Sequence, residues 1–215
     1  MTHKDLLSLL RVLNSGKYQD KVFLRRIGSG VYLGKVWPSF PRISKTTFPA
    51  QDFFFVKAES QNIFVAAVND MGESNLHWVV APKFRRKGYL SSALRNVILP
   101  WLFQTRDKQL ITVDSNRSKA LAKKLGFTEL DEITLELTFD DVPGFDWGYF
   151  DEIAPFSQER RKLLKDRANY AFDLLKMIRD ELDIRYQDVK SLDDVLEYQR
   201  NVKNHIEDIG YEYGS

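Results

Sequence analysis

Residues 76–82, LHWVVAP, are almost wholly apolar and lead directly into Lys83, Arg85, Arg86 and Lys87, then Gly88 and a helical repeat. So short and apolar a run predicts a central strand buried on both faces. From Tyr89 to about Gln104, the residues Leu90, Leu94, Val97, Ile98 and Trp101 recur at three- and four-residue steps. That spacing predicts an amphipathic helix, which Pro100 must kink or end early. A further strand (QLITVDS), a short helix (RSKALAKKLGF, stopped at Gly126) and an alternating strand (ITLELTF) follow. Strand, helix, strand, helix, strand constrains the chain to an α/β layer arrangement, because each element must bury one face against another.

The preceding residues extend the sheet. DKVFLRRI (20–27) and GVYLGKVW (30–37) predict a hairpin turned by Gly28-Ser29-Gly30. DFFFVKAES and NIFVAAVND predict two more strands, turned at Ser60-Gln61-Asn62. Leu6, Leu10 and Leu13 predict an N-terminal helix over 3–15 closed by Gly16, in a run too short for a signal peptide or membrane span. The stretch 38–51 holds three of the seven prolines and reads as irregular.

Composition changes near residue 140. A domain over 1–140 is followed by an aromatic connector at 141–154 and by a helical hairpin over 155–215. In the hairpin, Leu164, Ala168, Ala171, Leu175, Ile178 and Leu182 form one seam. A last helix starts at Ser191, with Asp194 in a capping position, lines its inner face with Val195, Val202, Ile206 and Ile209, and ends at Gly210. The hairpin either docks on the first domain or serves as a homodimer or protein-partner surface through 155–210.

Charge narrows the function classes. The 32 basic and 30 acidic residues nearly cancel, against a dedicated nucleic-acid binder, whose affinity needs a surplus of cations. No cysteine is present, and the three histidines are far apart in sequence, so no metal site is expected. A cytoplasmic location is the expectation for such a chain.

The basic turn carries the sharpest functional signal. A loop leaving a strand and opening a helix exposes backbone N–H groups that have no intrahelical partner, and the helix dipole adds attraction for an anion. Gly88 lets a ligand approach the backbone, and the flanking cations add charge. A second element follows the next strand: Asn116 at the strand end, then Lys119, Lys123 and Lys124 on a helix ending in Gly126-Phe127.

Together, V-x-P-x-x-R-x-x-G at 80–88 and NRSKALAKKLGF at 116–127 resemble the GNAT family of acyl-CoA N-acyltransferases, over about residues 52–139. The resemblance implies a mixed, mostly antiparallel central sheet flanked by helices, and an N-acetyltransferase that uses acetyl-CoA as co-substrate. It places the family's pyrophosphate loop on Arg85, Arg86, Lys87, Gly88, Tyr89 and Leu90, with Ser91 adding a hydroxyl. It sets Val79 and Val80 on the strand that pairs with the pantetheine arm, their main-chain N–H near the thioester oxygen. Asn116 corresponds to a polar residue near the thioester, and Lys119 and Lys123 are within reach of the coenzyme.

The sequence departs from the family pattern at Leu90, where Gly or Ala is usual, and at Ala122, where many members carry a tyrosine that protonates the leaving thiolate. Tyr89, Tyr32 or a water would then have to serve. Glu73, His77 and Glu59 are the candidate bases, and alternation sets His77 on the face of Val79, opposite Trp78 and Val80. The acceptor, a small-molecule or protein amine, is not named by the sequence. Phe40, Phe48, Phe53, Phe54, Trp147, Tyr149 and Phe150 either form an aromatic pocket for it or cover the core. The alternative reading is a catalytically weak or inactive acyl-CoA-binding scaffold whose helical tail recruits a partner. A third is modification of a nucleic acid or its bound protein.

Overall fold

The computed structural model describes residues 1–17, 21–37, 50–142, 156–186 and 190–213. They form two compact units, Met1–Glu152 and Ile153–Ser215. Most of the connector expected at 141–154 lies outside the described residues, as do Phe40, Phe48, Trp147, Tyr149 and Phe150.

The first unit begins with α1 (His3–Asn14), opened by a capping box in which Asp5 N–H donates to Thr2 Oγ1 and Thr2 N–H to Asp5 Oδ2. These bonds, chiefly that from the Thr2 backbone, hold the Asp5 carboxyl below its usual range. Strands β1 (Val22–Gly28), β2 (Val31–Val36), β3 (Gln51–Ala58), β4 (Ile63–Asp70) and β5 (Leu76–Val80) form a five-stranded antiparallel sheet in sequence order. The β3–β4 turn closes through Asn62, whose φ of 56° lies in the left-handed region that asparagine tolerates.

Alternation along these strands divides the apolar side chains between two cores. Phe53, Phe55, Phe64, Ala67 and Val79 meet Leu6, Leu10 and Leu13 of α1 on one face. Phe54, Val56, Val65, Val68 and Leu76 pack on the other. Phe53 and Phe54 are therefore core residues on opposite faces and belong to no aromatic pocket.

After β5 comes a helical segment in three parts: α2 (Tyr89–Ala93), a π turn at Leu94–Ile98, and α3 (Leu99–Leu102). Pro100 does not end the helix early. The π turn just before it widens the backbone where the missing N–H and the ring would otherwise break an α-helical repeat. Leu90, Leu94 and Ile98 close the second core.

Then β6 (Lys108–Thr112), α4 (Asn116–Lys124), β7 (Thr128–Glu129) and β8 (Thr134–Thr138) follow, and the strands form a separate three-stranded antiparallel sheet in the order β6-β8-β7. The two-residue β7 carries no alternation and is invisible to sequence patterning. The single central sheet expected from sequence is thus two sheets, parting between β5 and β6. For that reason β5 is an edge strand: Leu76 and Val79 are buried, but His77, Trp78 and Val80 stay partly exposed.

The second unit holds α5 (Gln158–Tyr186) and α6 (Lys190–Tyr213). Arg179 pairs with Asp193 at 3.1 Å, the Ala168 carbonyl accepts from Gln199, and Lys165 and Arg161 pair with Glu207, so the helices run antiparallel. α6 does not stop at Gly210. It continues to Tyr213, and Gly210 is where α5 comes close: a Cβ there would lie 2.6 Å from Arg161 Cδ. Ala168 is buried in the seam, whereas Ile178 and Val195 are 49% and 44% exposed, so the seam opens toward the hairpin bend.

Candidate functional site

β6 runs in the same direction as the segment entering β5. Gln109 meets the carbonyls of Gly72 and Glu73, and Thr112 meets Asn75. Beyond that point the chains diverge, β5 continuing to Val80 while Val113 turns its N–H to Ile133 of the other sheet. A groove of about 600 Å³ opens between them, within the range of small-molecule sites. It lies at the carboxyl ends of two adjacent parallel strands, the usual place for a ligand in α/β folds.

The wall made by β5 is a free strand edge. Ala81 N–H donates to Val65 O at 2.8 Å, which fixes the phase of the β4–β5 ladder. His77 and Val79 therefore spend their main-chain groups on β4, and those of Trp78 and Val80 face the groove. Arg85 Nε occupies the Val80 carbonyl at 3.2 Å. The N–H of Val80 and both main-chain groups of Trp78 face the space toward β6. Val79 offers no main-chain donor there, and its side chain is buried beneath α1.

The basic turn closes one end. Arg86 and Gly88 both have positive φ, 62° and 82°. Glycine adopts this without strain, but for Arg86 it costs about 1 kcal/mol. The first backbone bond of α2 runs from Ser92 N–H to Gly88 O, so the N–H groups of 89–91 have no acceptor in a preceding turn. Arg85, Arg86 and Leu90 line the groove. Lys87, Gly88 and Tyr89 do not: the Lys87 ammonium lies over the Phe84 ring, and Tyr89 packs edge-on against the same ring. The Ser91 hydroxyl donates to the Gly88 carbonyl at 3.0 Å and is thereby directed at the main chain.

The facing wall comes from β6 and α4. Ser115 caps α4 by accepting from the Ser118 N–H, and Ser115, Ser118 and Leu121 present one helical face to the groove, with Asp114 and Arg117 beside them. Asn116, Lys119 and Lys123 occupy other faces. Lys119 and Lys123 both pair with Glu129, at 3.0 and 2.6 Å, and hold its carboxyl below the usual range, Lys123 more strongly. None of the three residues expected near a coenzyme lines the groove, where Ser115, Arg117 and Ser118 stand instead. The signal for that face is the three-residue step 115-118-121, readable once Ser115 is taken as the cap.

Of the candidate catalytic groups, His77 alone lines the groove. It lies on the α1 face with His3, which also reaches the groove. Burial, and secondarily the nearby His3, push its imidazole below the ordinary value, so that it is neutral at neutral pH; Asp114 acts weakly the other way. The Glu73 main chain is bound by Gln109, and its side chain is not in the groove. Glu59 is held by Arg26 and the Gly30 N–H, and Tyr32 packs against Phe64 in the α1 core. Ala122 is fully buried in the opposite core. His3, Asn75, Thr112, Asp114, Ser115, Arg117 and Ser118 are groove residues that the sequence reading did not select.

Among the described residues, no cluster of histidine, aspartate or glutamate is arranged to hold a metal, and no helix is long and apolar enough to cross a membrane. No family model, curated protein or solved structure matches the chain. The site is defined by its own geometry: a groove with a free strand edge, three arginines and one aspartate on its walls, and the start of a helix at either side.

Proposed function

We propose that the groove between β5 and β6 binds an acyl-coenzyme A, with acetyl-CoA as the simplest member, and that the protein transfers the acyl group to an amine. The observation that carries this reading is the free β5 edge at Trp78 and Val80, which leads into the turn at Arg86–Gly88. An amide-containing arm pairs with such an edge as an added strand, and a pyrophosphate suits a turn of unpaired N–H groups flanked by Arg85, Arg86 and Arg117. In the transfer, the amine nitrogen attacks the thioester carbon, the C–N bond forms and the C–S bond breaks. The amine loses one proton and the departing thiolate gains one. The Val80 N–H is the donor available to the thioester oxygen.

A second reading, an acyl-CoA-binding scaffold without turnover, draws on Ala122: no tyrosine is among the groove-lining residues to protonate the thiolate. Thiol release from acetyl-CoA across a panel of primary amines separates the two. Amine-dependent release is expected of a transferase, and binding without release at every amine would leave the scaffold.

A further inference from the structure

We infer that the opening of the groove is set by a side-chain joint, Asn75 with the Asp70–Arg106–Gln109 chain, that stands where a main-chain ladder would otherwise form. Among the described residues no ladder joins β5 to β6, although the strands enter side by side and in the same direction. What connects them is polar and continuous. Asp70, at the end of β4, accepts from the Gly72 N–H at 2.9 Å and pairs with Arg106 at 2.6 Å. Arg106 donates to Gln109 Oε1 at 2.7 Å, and Gln109 Nε2 returns to the Gly72 and Glu73 carbonyls at 3.0 and 3.1 Å. Gln109 has no exposed surface, and the Asp70 and Arg106 side chains are 10% and 14% exposed. One step nearer the groove, Asn75 Oδ1 accepts the Thr112 N–H at 3.0 Å.

That last bond decides whether the groove stays open. The phase of the β6–β8 ladder, given by Val113 N–H to Ile133 O, turns the main-chain groups of Thr112 toward β5. The edges of β5 and β6 are therefore complementary, each with main-chain groups aimed at the other, and adjacent strands with such edges tend to pair. Asn75 interposes a side-chain amide, which satisfies Thr112 while keeping the backbones farther apart than the ~4.8 Å of a paired ladder. Asn75 is in this sense a positioning residue: it holds the wall of the groove and acts on a ligand through that wall. The joint stands whatever anion the groove holds.

The chain has no cysteine, so two introduced ones are the only sites for spin labels. Labels at Lys83→Cys and Ala120→Cys, both exposed and on opposite walls, report the aperture by pulsed dipolar spectroscopy. Asn75 is half-buried and outside both cores, so Asn75→Ala keeps the fold, which a melting curve verifies. In Asn75→Ala the mean distance is expected to shorten by a few ångströms as β6 closes on β5. Asn75→Asp retains the acceptor oxygen and is expected to keep the parent distance. An unchanged or longer distance in Asn75→Ala, or Asn75→Asp behaving like it, overturns the inference.

Discussion

Gln109→Leu perturbs the junction of the two sheets while keeping most of the side-chain volume. The glutamine amide supplies two hydrogens, shared among the carbonyls of Gly72, Glu73 and Leu110, and its oxygen accepts one hydrogen from the Arg106 guanidinium. All of this happens at a side chain with no solvent exposure. Leucine removes two neutral bonds and one charge-assisted bond and leaves buried groups that water reaches poorly. At about 1 kcal/mol for each neutral bond and about 2 for the charged one, the loss is about 4 kcal/mol, offset in part by leucine's gain in apolar burial. A net loss of about 3 kcal/mol lowers the melting midpoint of a unit this size by roughly 6–12 °C. Urea denaturation followed by tryptophan fluorescence, with calorimetry alongside, measures both. A change under about 1 kcal/mol would refute the claim that this network fastens the sheets, because even one orphaned buried group costs that much.

Other substitutions test separate parts of the account. Gly34→Ala puts a Cβ 2.6 Å from Phe55 Cε2 and 3.0 Å from Leu24 Cδ2 within the α1 core, and is expected to destabilise by about 1–3 kcal/mol in chemical denaturation. Ala122→Tyr places a large side chain at a fully buried position and is expected to overpack the opposite core and lower the melting temperature. His77 has a folded-state pKa below its ordinary 6.5, so the unfolded chain takes up the proton first as pH falls. The stability it contributes is complete above about pH 6.5 and is lost as pH falls through the lower folded value. His77→Asn is therefore expected to flatten the melting-temperature profile over that window.

The elements were legible where local chemistry decides them. The stripe Leu6-Leu10-Leu13 gives α1, glycines at 28 and 30 give the first hairpin, and Asn62 gives the next turn. The strand–turn–helix at 76–102 was legible too, because an apolar run, Gly88 and a helical repeat follow one another without a gap. The split between the sheets was not. β5 and β6 look like neighbours in any sheet, but what joins them is a side-chain link through Asn75 and Gln109, ordinary polar residues near strand ends, in place of a main-chain ladder.

The same distinction runs through the site. Val80, Arg85 and Arg86, which line the groove, and Gly88, which shapes the turn without lining it, follow from chain order, since they occupy the edge and turn of one strand–helix unit. On α4 the resemblance picked out Asn116, Lys119 and Lys123, whereas Ser115, Ser118 and Leu121 line the groove; each residue turns a helix by 100°, so neighbours in sequence stand on different faces. Likewise Gly210 resembles a helix stop in sequence, but in the structure it lies within α6, close against Arg161.

The central claim is that the β5 edge and the Arg86–Gly88 turn together hold an acyl-CoA. Isothermal titration of the whole protein with acetyl-CoA tests it directly, with Gly88→Val as the control. Gly88 has open space around its Cβ position but a φ of +82°, so valine distorts the turn and leaves both cores untouched. Saturable one-site binding by the wild-type chain, weakened at least tenfold in a folded Gly88→Val variant, is the expected result. No heat of binding at hundreds of micromolar acetyl-CoA, or equal affinity in the two proteins, would contradict it.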